Sequence, residues 1–303
     1  MQLIKKTNID FIGKRKISFV ISAIIAIIGV IGIVQIARNA ANMGIDFSGG
    51  TSVQLNFNQP VPIDKARLVL ANNNLKEANL QEVKDTNRLL IKVGKTTLAS
   101  GNVAETIKGV FTKEFPENAF IVESSTEIGP SIGDKLKQDT LIAVGISLLG
   151  IILYIAWRFD FKFGVGATLA TLHDVLAMIA VFYVLHKEIN LLFVTAVLTI
   201  AGYSLTDTVV VFDRIRENLH KKLSEPITDV FNRSINEVLS RTVITSLTTF
   251  LAAISLLLFG GEVIHDFAFA LVVGIVVATY SSIFIASPIV LELESRKSER
   301  ASK

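Results

Sequence analysis

A single aspartate, Asp207, lies in an apolar run that is otherwise typical of a membrane span. The run reads YSLTDTVVVF over residues 203–212. An ionised carboxylate inside a bilayer costs at least a few kcal/mol, so such residues are rare and are by default functional candidates. A carboxyl group can take up and release a proton, and one proton crossing a membrane potential releases about 2.3 kcal/mol per 100 mV. The position of Asp207 therefore predicts a proton carrier.

Two more ionisable groups, His173 and Asp174, are neighbours near the middle of another apolar segment. Their adjacency leaves two interpretations open, a proton relay and a satisfied structural pair. Ser204 lies one helical turn before Asp207, so the two residues would share a helix face. Serine hydroxyls in helices commonly bond back to their own backbone, and relay and packing roles both stay open for Ser204.

The sequence places Arg241 at the start of a fifth apolar segment, and hydroxyl-bearing residues follow it. Thr245 and Ser246 belong to a stripe over 242–249 with the i, i+3, i+4, i+7 spacing of one helix face. The stripe could line a hydrated cleft, or its hydroxyls could bond back to the helix. If the guanidinium of Arg241 approached and withdrew, Asp207 could alternate between charged and neutral forms. Arg241 is therefore a candidate partner in proton transport.

The composition is more apolar than that of a soluble domain. Of 303 residues 50% are hydrophobic, and the mean hydropathy is +0.53. The absence of cysteine excludes disulfides and thiolate metal sites, and the four scattered histidines contain no HExxH zinc pair. A net charge of +3 without a continuous basic face argues against a nucleic-acid partner. We expect a membrane protein that needs no metal and no cofactor.

Six segments have the roughly 17–25 predominantly apolar residues that a membrane span needs. The first has a basic start, but its apolar run is too long for a signal peptide and the following ARNAAN is a poor cleavage site. Lys and Arg concentrate at the N-terminus, in the second-to-third and fourth-to-fifth connections and in the tail, which predicts that both termini are cytoplasmic. The expected spans are 17–36, 141–157, 163–185, 191–212, 242–261 and 267–291.

The stretch between the first two spans alternates between strand and helix patterns. TSVQLNF, at 51–57, has the period of two of a half-buried strand. The order β-α-β-β-α-β suggests a small α+β ferredoxin-like domain outside the cytoplasm. The predicted protein is α-helical and polytopic, with four regions: 1–37 with the first helix, the extracytoplasmic domain 38–138, helices two to six in 139–292, and a cytoplasmic tail at 293–303.

Two glycine-rich stretches flank this domain, GIDFSGGT at 44–51 and IGPSIGDKL at 128–136. Consecutive glycines allow positive φ and close backbone approach, and a Gly-Pro pair fixes a turn. A phosphate loop is disfavoured because no GK[ST] follows. We expect a hinge or tight packing formed by Gly44, Asp46, Phe47, Gly49, Gly50, Gly129, Pro130 and Gly133.

The sequence offers no constellation for covalent catalysis. An intramembrane aspartyl protease needs two aspartates in GxGD-like surroundings, and none occurs. The GYSL around Ser204 lacks the second glycine of a GxSxG elbow. We do not expect an enzyme.

Five stretches together resemble the SecF subunits of the SecD/SecF family of protein-export membrane proteins, within the RND superfamily. The resemblance covers about residues 10–295. It is carried by GIDFSGGT at 44–51, GPSIG at 129–133, HDV at 173–175, SLTDTVVVFDRIREN at 204–218 and SRTVITSLTTF at 240–250.

The resemblance implies a six-helix half of an RND-type arrangement that SecD completes. It implies work beside the SecYEG channel in the bacterial cytoplasmic (inner) membrane, where proton flow helps to draw the translocating preprotein outward. Asp207 and Arg241 match the positions to which the family assigns proton transport. YajC and YidC are further partners that the resemblance implies.

Two other functions stay open at this stage. One is an RND-like proton-driven exporter subunit for small amphiphiles or lipids, although a domain of about 100 residues with few aromatic side chains leaves little room for such a substrate. The other is a non-catalytic scaffold of the Sec complex, for which Asp207 would have to be structural.

Overall fold

A computed structural model describes residues 7–38, 40–76, 78–82, 86–94, 102–221 and 225–301, without the side chains of 262 and 296–301. Over these residues the chain forms two compact units, Met1–Asn42 with Ala143–Lys303, and Met43–Ile142. The first unit is helical and the second has mixed α and β structure. Lys5, Lys6, Lys222 and Lys303, which contribute to the predicted orientation, lie outside the described residues.

The helical unit is built from long apolar helices. In chain order they are α1 (Arg15–Ala37), α5 (Pro130–Arg158, of which the residues up to Ile142 belong to the second unit), α6 (Phe161–Val184), α7 (Leu191–His220), α8 (Ile227–Phe259), α9 (Glu262–Ser281) and α10 (Ser287–Ala301). Residues Ser282–Ala286 join α9 to α10 as one turn of π-helix. Within the described part of the chain, six segments are long and apolar enough to cross a membrane: Ile12–Ala37, Pro130–Arg158, Phe161–Val184, Leu191–His220, Ile227–Phe259 and Val263–Ser295.

Small residues allow these helices to approach closely. A Cβ on Gly29 of α1 would collide with the backbone of Leu176 on α6. A Cβ on Gly274 of α9 would lie 2.5 Å from the side chain of Ile200 on α7. Contacts of this kind hold membrane helices together, because lipid gives apolar helices no hydrophobic reason to associate.

The structure extends the helices on both sides of the predicted connection between the fourth and fifth spans. α7 continues past 212 to His220, and α8 begins at Ile227, not near 242. Arg241 therefore lies in the middle of α8, one residue before the predicted span 242–261, whose position within this longer helix stays a prediction. The first half of α8 is amphipathic, with Phe231 and Ile235 fully buried on one face and charged residues on the other. Because it is not a continuous apolar run, a search for apolar segments in the sequence does not detect it.

A short segment before α1 is held against α8. The amide N–H groups of Phe11 and Ile12 both donate to Oδ1 of Asn232, each at 3.0 Å. Asn232 in turn donates from Nδ2 to Asp10 Oδ1 at 2.8 Å. The ring of Phe11 packs edge-on against Phe284 of the π-helical turn, with centroids 5.7 Å apart. We call Ile9–Gly13 the N-terminal hook.

The second unit contains a four-stranded antiparallel sheet among its described residues. Its elements are α2 (Ile45–Ser48), β1 (Gly50–Phe57), α3 (Ile63–Asn72), β2 (Asn79–Glu82), β3 (Arg88–Gly94), α4 (Val103–Glu114) and β4 (Phe120–Ile128). The strand order is β2-β3-β1-β4. Alternate residues of β1 and β3 are buried, and the core of this face consists of apolar side chains from both strands, α3 and α4.

Candidate functional site

Asp207 lies inside the helix bundle, on a continuous stretch of α7. Its residue surface is 9% exposed. Ser282, the first residue of the π-helical turn, donates from Oγ to Asp207 Oδ2 at 2.8 Å. No lysine or arginine among the described residues forms an ion pair with it. The buried carboxyl group of Asp207 therefore accepts a hydrogen bond from a neutral hydroxyl and, among the described residues, forms no ion pair with a cation.

Asp174 on α6 is a second buried carboxyl group, with no exposed surface. Two serines from different helices donate to its Oδ2, Ser204 of α7 at 2.5 Å and Ser281 of α9 at 2.9 Å. Nδ1 of His173 lies 3.2 Å from Asp174 Oδ1. The structure thus brings together His173, Asp174 and Ser204, three of the residues that the sequence singles out, around one carboxyl group.

The two carboxyl groups are connected by adjacent residues of one helix. Ser281 ends α9 and donates to Asp174, and Ser282 begins the π-helical turn and donates to Asp207. Single π-helical turns inside α-helices occur frequently at functional sites. Here the π-helical turn begins at Ser282, so that the consecutive residues Ser281 and Ser282 donate to carboxyl groups on two different helices, α6 and α7.

A separate group of hydroxyls lies between α7, α8 and α9. Ser246 of α8 accepts hydrogen bonds from Thr279 at 2.8 Å and from Tyr203 at 3.3 Å. The hydroxyl of Thr242, one turn earlier on α8, is buried and interacts with the Asp207 carboxyl group, although it makes no hydrogen bond of ordinary geometry among the described residues. Ser246 and Thr242 therefore face the interior, as one half of the predicted stripe.

The other half of the stripe faces outward. Arg241 and Thr245 are exposed, and Thr245 donates back to the Arg241 carbonyl at 2.9 Å. Thr249 bonds in the same way to the carbonyl of Thr245. No hydrogen bond or ion pair joins Arg241 to Asp207, although the charge of Arg241 acts electrostatically on Asp207. The structure therefore separates the two residues that the family resemblance assigns to proton transport.

The glycine-rich stretches form a tight corner within the α+β unit. Gly49 and Gly50 both have positive φ angles, 72° and 145°, a backbone conformation that residues other than glycine rarely adopt. A Cβ on Gly133 of α5 would lie 3.1 Å from the Gly49 backbone nitrogen. Pro130 is the first residue of α5, where its missing N–H is not needed. The other residues of the corner are Gly44, which precedes α2, Asp46, the buried Phe47 and Gly129, whose carbonyl accepts from the first turn of α5.

Sequence reasoning missed Ser281 and Ser282. They are part of the apolar run ATYSSIFIASP, where serines usually bond to their own backbone, and nothing in the spacing connects them to α6 or α7. The one available signal is that two adjacent serines necessarily point in different directions on a helix. The N-terminal hook was missed as well, because Asn232 lies more than 200 residues from its partners.

The fold and these groups define a multi-pass membrane protein that holds carboxyl groups inside its candidate spans. Two family models match the chain: "Protein export membrane protein SecD/SecF, C-terminal" over residues 107–296 and "SecD/SecF GG Motif" over residues 40–61. The first of these alone covers more than half of the chain. The chain belongs to the SecF branch of the SecD/SecF family.

Individual relatives agree with this assignment. Protein translocase subunit SecF of Thermodesulfovibrio yellowstonii is 52% identical over 295 residues, covering 97% of both chains. Protein translocase subunit SecDF of Brucella abortus is 41% identical over 255 residues, which are 83% of this chain and 33% of that protein. The crystal structure of SecDF from Thermus thermophilus, described as translocon-associated, matches 97% of this chain with a TM-score of 0.82 and 34% identity. This chain spans 40% of that SecDF chain.

Proposed function

We propose that this chain is an auxiliary subunit of the Sec protein-export machinery which, together with SecD, uses the proton motive force to assist preprotein translocation through SecYEG. The observation that carries the proposal is Asp207, a carboxyl group buried inside a candidate span and hydrogen-bonded to a serine. Such a group can be charged or neutral without breaking an ion pair. Membership of the SecD/SecF family supplies the export role.

Asp207 is the proposed proton carrier and Arg241 its electrostatic partner. In this structure Arg241 is exposed in the middle of α8, so its charge is available to a neighbouring chain or to a rearranged α8. A guanidinium that comes closer favours the charged carboxylate, and one that withdraws favours the neutral acid. Movement of α8 would thereby be coupled to the uptake and release of a proton.

SecD is the proposed partner in the membrane. The exposed faces of α7 and α8 carry small and hydroxyl-bearing residues where lipid-facing helices usually carry large apolar ones. These residues are Thr195, Thr199, Gly202 and Thr206 on α7, and Thr245 and Thr248 on α8, where the charged Arg241 is exposed as well. Fused SecDF relatives support the pairing, because there both subunits belong to one chain. SecYEG, YajC and YidC are proposed as partners from the family resemblance alone.

We further propose that the protein lies in the bacterial inner membrane with both termini in the cytoplasm, as the distribution of Lys and Arg predicts. The region 38–138 would then be extracytoplasmic. Its strand order, β2-β3-β1-β4, together with the element order β-α-β-β-α-β, supports a ferredoxin-like domain. Its glycine corner, around Gly49 and Gly133, is the proposed hinge. No enzymatic activity is proposed.

The test is preprotein translocation into inverted membrane vesicles, with and without a proton gradient, for wild type, Asp207→Asn and Asp213→Asn. Both substitutions replace a carboxyl group on the same helix, but Asp213 forms an ion pair with Arg158 at 2.8 Å. We expect the Asp207 variant to co-purify with SecD and to lose the gradient-dependent stimulation, and the Asp213 variant to keep it.

If Asp207→Asn translocates like wild type, the chain is a scaffold of the Sec complex. If the gradient still drives export of small amphiphiles in vesicles that lack SecYEG, the chain is an RND-like exporter subunit. Loss of co-purification would mean that Asp207 is structural, which also contradicts the proposal.

A further inference from the structure

Ser281 and Ser282 each have two hydrogen-bond acceptors within reach of a single hydroxyl proton. Ser281 Oγ lies 2.9 Å from Asp174 Oδ2 and 3.1 Å from the carbonyl oxygen of Ala278. Ser282 Oγ lies 2.8 Å from Asp207 Oδ2 and 3.2 Å from the carbonyl oxygen of Thr279. Because a serine hydroxyl has one proton, each serine can donate to only one of its two acceptors at a time.

This arrangement suits a carboxyl group that changes its charge. A charged carboxylate is the stronger acceptor, so the serine donates to it. When the carboxylate binds a proton, the serine can turn to its own helix carbonyl, and its oxygen can accept the new carboxylic O–H. Neither state leaves a buried polar group without a partner, which would otherwise cost stability. A carboxylate whose partners are N–H groups has no such second arrangement, because an N–H can only donate.

Asp174, like Asp207, is surrounded by partners that can accommodate both its charged and its neutral form. All its partners among the described residues are hydroxyls or an imidazole, and no Lys or Arg of that part of the chain neutralises it. His173, which is 7% exposed, keeps Nε2 buried and without a partner there, so one polar atom beside Asp174 is available for water or a proton.

Other groups around the cluster define its electrostatics. The titratable groups are His173 on α6, Tyr203 and Asp207 on α7, and Tyr280 on α9. The charge of Arg241, on the exposed face of α8, acts on Asp207. The residue that α1 contributes, Ser22, is neutral and hydrogen-bonded to Tyr280.

We propose that Asp174 is a second proton-binding carboxyl group, linked to Asp207 through Ser281 and Ser282. Asp174 gains one proton from water that enters the bundle, and Ser281 turns from Asp174 to the Ala278 carbonyl without gaining or losing a proton. The proton later leaves to water and Ser281 returns. Because Ser281 and Ser282 are consecutive on one backbone, the charge of one carboxyl group affects the hydrogen bond of the other. The proposal rests on the proposed function, which concerns Asp207, and adds a second site to it.

Infrared difference spectroscopy tests this directly. The full chain in complex with SecD, reconstituted in nanodiscs, is compared between acidic and neutral buffer in the carbonyl-stretch region of protonated carboxylic acids. The variants are Asp207→Asn and the double variant Asp207→Asn with Asp174→Asn. Surface carboxylates contribute equally to both. We expect the single variant to keep a band equivalent to one carboxyl group that the double variant lacks. If the two spectra superpose, Asp174 does not bind a proton and the proposal is overturned.

Translocation provides a second measurement. We expect Asp174→Asn to reduce the gradient-dependent rate about tenfold or more, and Asp174→Glu to restore part of it. The matched control is Thr171→Val, since Thr171 is buried on the same helix but bonds only to the carbonyl of Ala167. Wild-type stimulation in an assembled Asp174→Asn complex would overturn the proposal.

Ser281→Ala covers the case in which Asp174→Asn fails to assemble. It leaves both carboxyl groups in place, and it should move the band of Asp174 while the band of Asp207 keeps its position. An unmoved Asp174 band would overturn the proposal. These results are separate from the proposed function, because a gradient response that survives Asp207→Asn contradicts only the role of Asp207.

Discussion

The interiors of the two compact units differ in kind. The α+β unit has a core of apolar side chains, with Val53, Leu55, Ile91 and Phe111 almost or fully buried. The helical unit has apolar packing too, but it also buries carboxyl groups among several serines. Burying a charge or a hydroxyl costs free energy unless each is hydrogen-bonded. The first interior is explained by folding alone, and the second needs a function that justifies its cost.

Within the helical unit, carboxylates also fall into two groups. Some form ion pairs with cations at helix ends, such as Asp213 with Arg158 and Glu294 with Lys162. Others, Asp174 and Asp207, have hydroxyl partners. An ion pair stabilises one charge state, whereas a hydroxyl tolerates both. The kind of partner thus distinguishes the ion-paired carboxylates from the two carboxyl groups that we propose to bind protons.

The largest expected effect on stability lies in the apolar core of the α+β unit. Phe111→Ala removes a fully buried ring that packs against Phe57 at 5.7 Å and Phe115 at 5.6 Å. We expect a loss of about 3–5 kcal/mol in the free energy of unfolding of this unit. Hydrogen exchange of β1 and α4 amides in the full chain measures it. Leu68→Ala, at a position 64% exposed, is the control and should change stability by less than about 0.5 kcal/mol.

Unchanged exchange in the Phe111 variant would contradict the view that apolar burial alone holds this unit together.

A smaller effect on stability, but a large one on function, is expected at Ser282. Ser282→Ala removes the hydrogen-bond donor of Asp207 and leaves a buried carboxylate unsatisfied, at a cost of about 1–3 kcal/mol. Ser282→Thr keeps the hydroxyl and is the matched control. Thermal unfolding of the purified complex and gradient-dependent translocation are the measurements. Equal behaviour of the Ala and Thr variants would mean that this hydroxyl is not the relevant partner.

The sequence predicts much of this comparison but not its central part. Alternation predicts a strand at 51–57, within one residue of β1 as the structure has it, and a single charged residue in an apolar run identifies Asp207. The partners of the two aspartates are not predictable in this way. Ser281 is 107 residues from Asp174, and Ser282 is 75 residues from Asp207. Helix periodicity assigns faces within one helix and does not say which faces of different helices meet, nor that a π-helical turn intervenes.

The ion pair between Arg158 and Asp213 should matter less than either of these sites. Its side chains are 34% and 45% exposed, and exposed pairs contribute about 0–1 kcal/mol. We expect Arg158→Ala to lower the unfolding free energy by no more than that and to leave translocation intact. Thermal unfolding and the vesicle assay measure this. A loss of gradient-dependent activity as large as that of Asp207→Asn would contradict the distinction between ion-paired and hydroxyl-bonded carboxylates.

The smallest effect is expected at Asp10 in the N-terminal hook, a carboxylate bound by N–H groups. The Gly13 amide and then the Asn232 side chain, both donating to Oδ1 at 2.8 Å, lower the pKa of Asp10 below its ordinary value of 3.8. Because the folded pKa is the lower one, the stabilisation is fully present above the unfolded pKa and is lost as pH falls through the folded pKa. The hook should therefore loosen only in acid.

The chain contains no cysteine, so Asn8→Cys gives a unique position for a spin label beside the hook. We expect label mobility to stay constant from pH about 7 to about 4.5 and to rise below that, since carboxylates titrate near pH 4. In an Asp10→Asn background the same titration should be flat, because an amide side chain does not ionise. A rise of equal size in that background would show that another group opens the hook. In that case Asp10 would no longer be an example of a carboxylate that N–H donors keep charged. The contrast with the hydroxyl-bonded Asp174 and Asp207 would then be lost.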